Sequence, residues 1–189
     1  MKKVFIDCGA NDGCSVRKFK KEKDPNSEYE YHSFEANDIY QKDIEATGAS
    51  YYHKAVWVEN KEVTFYVVTV DKSKGPGRRS GASTLNEEKN KLNLKNHPEI
   101  EAVTVEGIDI SSWISENFLK DDHIVLKMDI EGSEYEVLEK MIEDKTFDMI
   151  DELLIEFHWK KCGVSKEQHT ELYNKLLTYN IPISEWDAL

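Results

Sequence analysis

Short runs rich in β-branched and aromatic residues alternate with helically spaced apolar stripes from one end of this chain to the other. That alternation narrows the fold more than any other feature, because strands separated by helices return to the same sheet in parallel and need helices over both faces. The pattern predicts an α/β chain with a mostly parallel sheet. Strands are expected at 3–8, 29–34, 51–58, 63–70, 102–107, 123–128, 152–158 and, with a weaker pattern, 181–186. Ser133 with Glu136 and Ser165 with Gln168 are each spaced as a capping box, in which two side chains satisfy free backbone donors at a helix start. Val137, Leu138, Met141 and Ile142, and later Leu172, Leu176 and Tyr179, follow at helical spacing as core stripes. Shorter helices are expected at 37–46 and 112–119, and a polar, exposed one at 86–96.

With 189 residues the chain has the size of one domain, taken as 1–189. Its 25 Lys and Arg against 37 Asp and Glu leave a net charge of −12, a field that repels nucleic-acid phosphates and anionic lipid. Neither partner is expected. Apolar runs such as 124–126 and 153–155 are far shorter than the roughly 20 residues of a membrane span, and Asp7 interrupts the apolar start that a signal peptide needs. A cytoplasmic protein is expected. Cys8, Cys14 and Cys162 form no CxxC pair and read as reduced packing thiols rather than a disulfide frame or zinc site. Composition breaks once, at 71–81, where Gly75-Pro76-Gly77 forbids regular structure and Lys72, Lys74, Arg78 and Arg79 concentrate positive charge. A loop is expected there, either a solvated connection or a lid.

Residues 4–13, VFIDCGANDG, read as an apolar strand, a turn holding Asp7, Gly9 and Gly13, and the start of a helix with Val16 and Phe19 inward. Strand, glycine turn and helix make the mononucleotide-binding unit, in which glycine lets backbone approach a ligand. Glu35 lies 22 positions beyond Gly13, near the ~20 expected for a carboxylate that holds ribose hydroxyls. A pyrophosphate loop would carry a third glycine, whereas here Asp7 and Asp12 put negative charge where a diphosphate would sit. An adenosyl nucleoside bearing an ammonium and a sulfonium, S-adenosylmethionine, satisfies all of these features.

Residues 124–134, IVLKMDIEGSE, end an apolar strand in Lys127, Asp129 and Glu131; Lys127 and Asp129, two apart, share a face at the carboxyl edge of the sheet. Residues 152–159, ELLIEFHW, end the next strand with Glu156 and His158 in the same relation. Open α/β sheets bind ligands at that edge, so these side chains are candidates for chemistry. Each has a plainer role to weigh: Glu131 can favour a helix N-terminus, Lys127 can neutralise carboxylates, and His158 can be a bonded structural histidine.

On these motifs the chain resembles the FkbM-type S-adenosylmethionine-dependent methyltransferases, mainly O-methyltransferases of sugar and polyketide hydroxyls. The resemblance spans about residues 4–160: FIDCGANDG, FEAND, HKAVW, GASTL, GIDISSWI, LKMDIEGSEYEVL and LIEFHW occur in that order. It implies a Rossmann-like class I methyltransferase fold, with S-adenosylhomocysteine as product. It also implies that Asp7, Gly9, Asn11 and Gly13 line the methionine moiety, Glu35 takes the ribose hydroxyls, and Ala55 and Val56 flank the adenine. Ala10, Ala36, Ser83 and Asp129 are placed at the cofactor too. FEAND lacks the proline many relatives have after the acid, and the short tail leaves room for one further strand, a curtailed C-terminal edge.

A sugar hydroxyl is a poor acid, so methyl transfer to it needs a base, expected to be His158 or Asp129, with Lys127 and Glu156 beside them. The alternative is a Mg2+ or Mn2+ ion on Asp129, Glu131 and Glu156, which are the oxygen ligands such ions prefer. The acceptor is expected to be a sugar, glycan or similar small molecule. A nicotinamide-binding Rossmann oxidoreductase would share the strand-turn-helix, and a non-catalytic scaffold would keep the fold; both stay open at this level. Methylation of nucleic-acid amines fits least, since no Pro-Pro tetrapeptide follows Met128.

Overall fold

The computed structural model describes residues 1–68, 83–96 and 100–186. Along the chain, β1 (Lys3–Cys8) leads through α1 (Cys14–Glu22), β2 (Glu30–Phe34) and α2 (Gln41–Glu45) to β3 (Ser50–Tyr52), β4 (Ala55–Trp57) and β5 (Glu62–Val68). Then follow α3 (Glu87–Asn96), β6 (Ile100–Asp109), α4 (Ile110–Asn117), β7 (His123–Met128), α5 (Glu134–Glu143), β8 (Glu152–Ile155), α6 (Lys166–Leu177) and β9 (Ile183–Glu185). Six strands pair in parallel in the order β3-β2-β1-β7-β8-β9, so the strand order reverses between β1 and β7. A crevice opens at the carboxyl ends of strands where the order reverses, and this is where such sheets take ligands.

Both faces of the main sheet are covered, which is why its strands are almost continuously apolar. On one face Val4, Ile6, Ile124, Leu126, Leu153 and Ile155 pack with Ile114, Leu138 and Leu172 of α4, α5 and α6. On the other, Phe5, Val125 and Leu154 meet Val16 and Phe19 of α1 and Ile44 of α2. Asp7 and Lys127 fall on this second face by the same alternation, and the register sets them side by side on β1 and β7.

The expected strand at 51–58 is two strands in two sheets. The chain bends at His53, whose Nε2 lies 3.0 Å from the Ala36 carbonyl oxygen, and β4 leaves to pair with β6. The strand expected at 63–70 is antiparallel β5 in this smaller sheet of order β4-β6-β5, not part of the parallel one. Residues 69 and 70, and the loop expected at 71–81, lie outside the described residues. The strand expected at 152–158 stops at Ile155, because its partner strand ends at Met128 opposite it. Glu156 and His158 therefore lie beyond the strand.

Ser165 and Gln168 form the expected capping box. Ser133 makes no such bond: Glu134 instead folds back on the turn before its helix, accepting from the amides of Ile130 and Gly132, each at 3.1 Å. The helix expected at 86–96 forms as α3, but it is not exposed throughout, since Lys89 is 2% exposed and Asn93 is buried. The expected helix at 37–46 is a 3-10 turn, Asp38–Tyr40, running into α2. Among the described residues no helix is long and apolar enough to cross a membrane.

Candidate active site

The turns that follow β1 and β7 press against each other at the carboxyl edge. Gly9 has φ +79°, and a Cβ there would lie 1.9 Å from the Asp129 carbonyl oxygen, so only glycine fits. Asn11 (φ 48°) and Glu131 (φ 58°) are non-glycine residues in the left-handed region, one in each turn; strain of this kind concentrates at functional sites. Beneath the turns Lys127 is 2% exposed and lies 3.1 Å from Asp7 and 3.7 Å from Asp129, donating to the Gly9 carbonyl at 2.7 Å. Burial opposes its charge, but the Asp7 and Asp129 carboxylates outweigh burial and hold the ammonium above its usual value.

Above this frame lies a cavity of about 360 Å3. One group in its wall is Gly9, Ala10, Asn11, Glu35 and Ala36, and Ala55, Val56 and Ser83 line it too. Asp7 and Gly13, expected against the ligand, line no part of it. Asp7 is fully buried below, because its strand position turns it toward Lys127, and Gly13 caps α1 in a left-handed conformation. Glu35 accepts from the amides of Asn11 and Asn37, both at 2.8 Å. Burial raises its pKa from the ordinary value, against the pull of those donors. Cys14, also in the wall, has its thiol pushed up to about 11 by burial and by Asp12, which keeps it protonated and inert.

The turn has few amides to offer a phosphate. Gly9 and Ala10 both donate to the Phe34 carbonyl, Asn11 to Glu35, Gly13 to the Ala10 carbonyl and Cys14 to the Asp12 carboxylate. Asp12 also pairs with Arg17 at 3.0 Å, so its charge is held within the turn. A pyrophosphate loop needs such amides free.

A second group in the wall, Asp129, Glu131, Glu156 and His158, gathers around the His158 ring, with Lys127 between it and the Gly9 turn. The structure brings all five predicted catalytic and metal-ligating candidates together here. His158 is 3% exposed; its Nε2 is 3.3 Å from Glu131 Oε2, 3.3 Å from Glu156 Oε1 and 3.9 Å from Asp129 Oδ1. Its Nδ1 lies 3.0 Å from Glu134 Oε1. Lys127, expected beside the base, has its ammonium on Asp7 and the Gly9 carbonyl and 3.7 Å from Asp129, so it braces the frame.

Sequence reasoning missed Glu134 and Lys89. Glu134 is fully buried behind His158, and Asp129, Glu134 and His158 each bring one ligand atom within 4.8 Å of the others. Its signal was present as an acid directly after Ser133, but the capping box drew attention to Glu136. Lys89, from α3, forms an ion pair with Glu131. Burial brings its ammonium down to about 8, against the pull of Glu134 and Asp129.

Comparisons with characterised proteins and with solved structures find no match. The family model described as the methyltransferase FkbM domain matches residues 7–181, which takes in the turn, Glu35 and every side chain at both ends of the cavity. The chain belongs to the FkbM methyltransferase family, and its parallel sheet is the Rossmann-like frame of a methyltransferase.

Proposed function

We propose that the protein uses S-adenosylmethionine to methylate a hydroxyl group of a sugar, glycan or similar small molecule. The observation that carries this reading is the turn after β1, whose amides at Gly9, Ala10, Asn11, Gly13 and Cys14 are already bonded within the protein while Glu35 still faces the cavity. A dinucleotide needs free amides for its pyrophosphate, whereas an adenosyl nucleoside without phosphates needs only the ribose carboxylate and an apolar slot. Glu35 accepts from the ribose hydroxyls, and Ala55 and Val56 flank the base. S-adenosylmethionine supplies a methyl carbon already activated by its sulfonium.

The remaining work of the protein is to hold an acceptor oxygen in line and to take its proton. Asp129 and His158 both line the cavity, and this step falls to them. Lys127 fixes the Gly9 turn and draws Asp129 into place. Three free thiols suit the cytoplasm, the location kept with this reading. A crystal structure with S-adenosylhomocysteine is expected to show both ribose hydroxyls on Glu35. A dinucleotide bound in its place, or an empty cavity at saturating ligand, overturns the reading.

A further inference from the structure

We propose that Lys89 is a positioning residue of the methyl-transfer site: reaching in from α3, its ammonium holds the Glu131 carboxylate beside His158 and so sets the ring that takes the acceptor's proton. This rests on reading the cavity as the site of methyl transfer. Lys89 is 2% exposed and does not line the cavity, so it touches neither donor nor acceptor and acts through its partner. That partner is Glu131, which does line the cavity. The oxygen of Glu131 that carries the Lys89 ammonium, Oε2, is also the one 3.3 Å from His158 Nε2. Lysine, carboxylate and ring thus form one chain across α3, the turn after β7 and the segment after β8.

The local structure delivers that ammonium. In the stretch before α3, Ser83 and Leu85 line the cavity, while Thr84 between them is fully buried and donates from Oγ1 to the Glu131 carbonyl at 2.6 Å. Asn86 then fixes the start of the helix: its Oδ1 accepts from the Lys89 amide at 2.9 Å, and its Nδ2 donates to the Cys162 carbonyl at 3.3 Å. Only glycine at 132 permits this approach, since a Cβ there would lie 2.9 Å from Cys162 Cβ and 3.1 Å from Asn86 Cβ. Glu131 has φ 58°, and Thr84 on its carbonyl with Lys89 on its carboxylate hold it in that conformation. A buried ion pair is often replaceable by apolar side chains without loss of stability, so the use of this charge lies in placing Glu131.

Of the three carboxylates expected to hold a Mg2+ or Mn2+ ion, Asp129 has Lys127 at 3.7 Å and Glu131 has Lys89. The chain's own lysines meet their charge. The Glu134 carboxylate faces Nδ1, which leaves Nε2 to take the acceptor's proton, and without Lys89 the whole charge of Glu131 would fall on that nitrogen. As the proton passes to Nε2, the acceptor oxygen's electron pair forms the bond to the methyl carbon, and the pair of the breaking carbon–sulfur bond returns to sulfur.

The test reads the His158 ring by heteronuclear NMR of protein labelled at its histidine nitrogens, with His158→Asn to assign it among the six histidines. Lys89→Met and Lys89→Gln are each expected to shift the His158 ring signals in the wild-type background. In a Glu131→Gln background neither is expected to shift them further, because no carboxylate is left to position. Unshifted signals in the wild-type background, or equal shifts in both backgrounds, overturn the role of Lys89 and leave the proposed function standing. Should neither single variant fold, the Glu131→Gln background decides: a shift there overturns the role, and an unshifted ring in a chain that folds again once Glu131 is neutral supports it. Failure of the wild-type chain to bind S-adenosylhomocysteine, measured on the same samples, overturns the function itself.

Discussion

Glu35 and Glu134 are built on one plan and used in two ways. Each is a buried carboxylate at a turn that follows a central strand, and each accepts from two backbone amides. Glu35 lines the cavity, so its remaining lone pairs are available to a ligand, whereas Glu134 turns its own to the ring of His158. Amide donors can hold a carboxylate either to recognise a ligand or to orient a neighbouring side chain, and the wall it reaches decides which. The two ends of the cavity are therefore expected to fail separately.

The frame beneath both ends gives the largest expected effect. Lys127→Met leaves Asp7 buried without its partner and is expected to cost about 3–5 kcal/mol of stability, measured by urea unfolding. An unchanged midpoint would show that Lys127 acts on the reaction alone. Next, His158→Ala is expected to lower turnover roughly 10²- to 10³-fold, with Glu134 still held by the amides of Ile130 and Gly132; steady-state rates at saturating donor check this. Ser165→Ala is expected to cost about 1 kcal/mol, and Ser133→Ala less, because only Ser165 makes a cap bond. Equal losses in thermal unfolding would mean that Glu134 does not replace the Ser133 cap.

The smallest effect is a pH dependence confined to the cofactor end. Burial raises the Glu35 pKa above its ordinary 4.5, so this carboxylate takes up its proton at a higher pH than a free one. The protonated form has one lone-pair acceptor fewer for ribose hydroxyls. Nucleoside affinity is therefore expected to decline on acidification while the pH is still above 4.5, and Glu35→Gln to remove the decline. A wild-type affinity flat down to 4.5 would place the charged ligand contact elsewhere.

The parallel sheet was legible because its strands are buried on both faces and so read as unbroken apolar runs, Val4-Phe5-Ile6 and Ile124-Val125-Leu126 among them. The smaller sheet was not, because the sequence 51–58 carries no break signal; a contact between His53 and the Ala36 backbone divides it. At the site, positions tied to strand ends were readable: Glu35, Lys127 and Asp129 lie where alternation and spacing put them. Asp7 lies below the cavity: alternation gives its face, but only the register shows that Lys127 stands beside it there. Glu134 and Lys89 escaped because their roles depend on neighbours distant in sequence, His158 at 24 positions from the first and Glu131 at 42 from the second.

The separation of the two ends is tested most directly by calorimetric titration of S-adenosylhomocysteine into wild type, Glu35→Ala and His158→Ala in parallel. Binding at one site per chain is expected in the wild type, weakened about tenfold to a hundredfold by Glu35→Ala, where hydrogen bonds to a charged group are lost. His158→Ala is expected to leave it within about threefold, since the ring's charged neighbours are Asp129, Glu131, Glu134 and Glu156 and not Glu35. Equal weakening by both substitutions, or by neither, would mean that the cavity is not divided as its walls suggest.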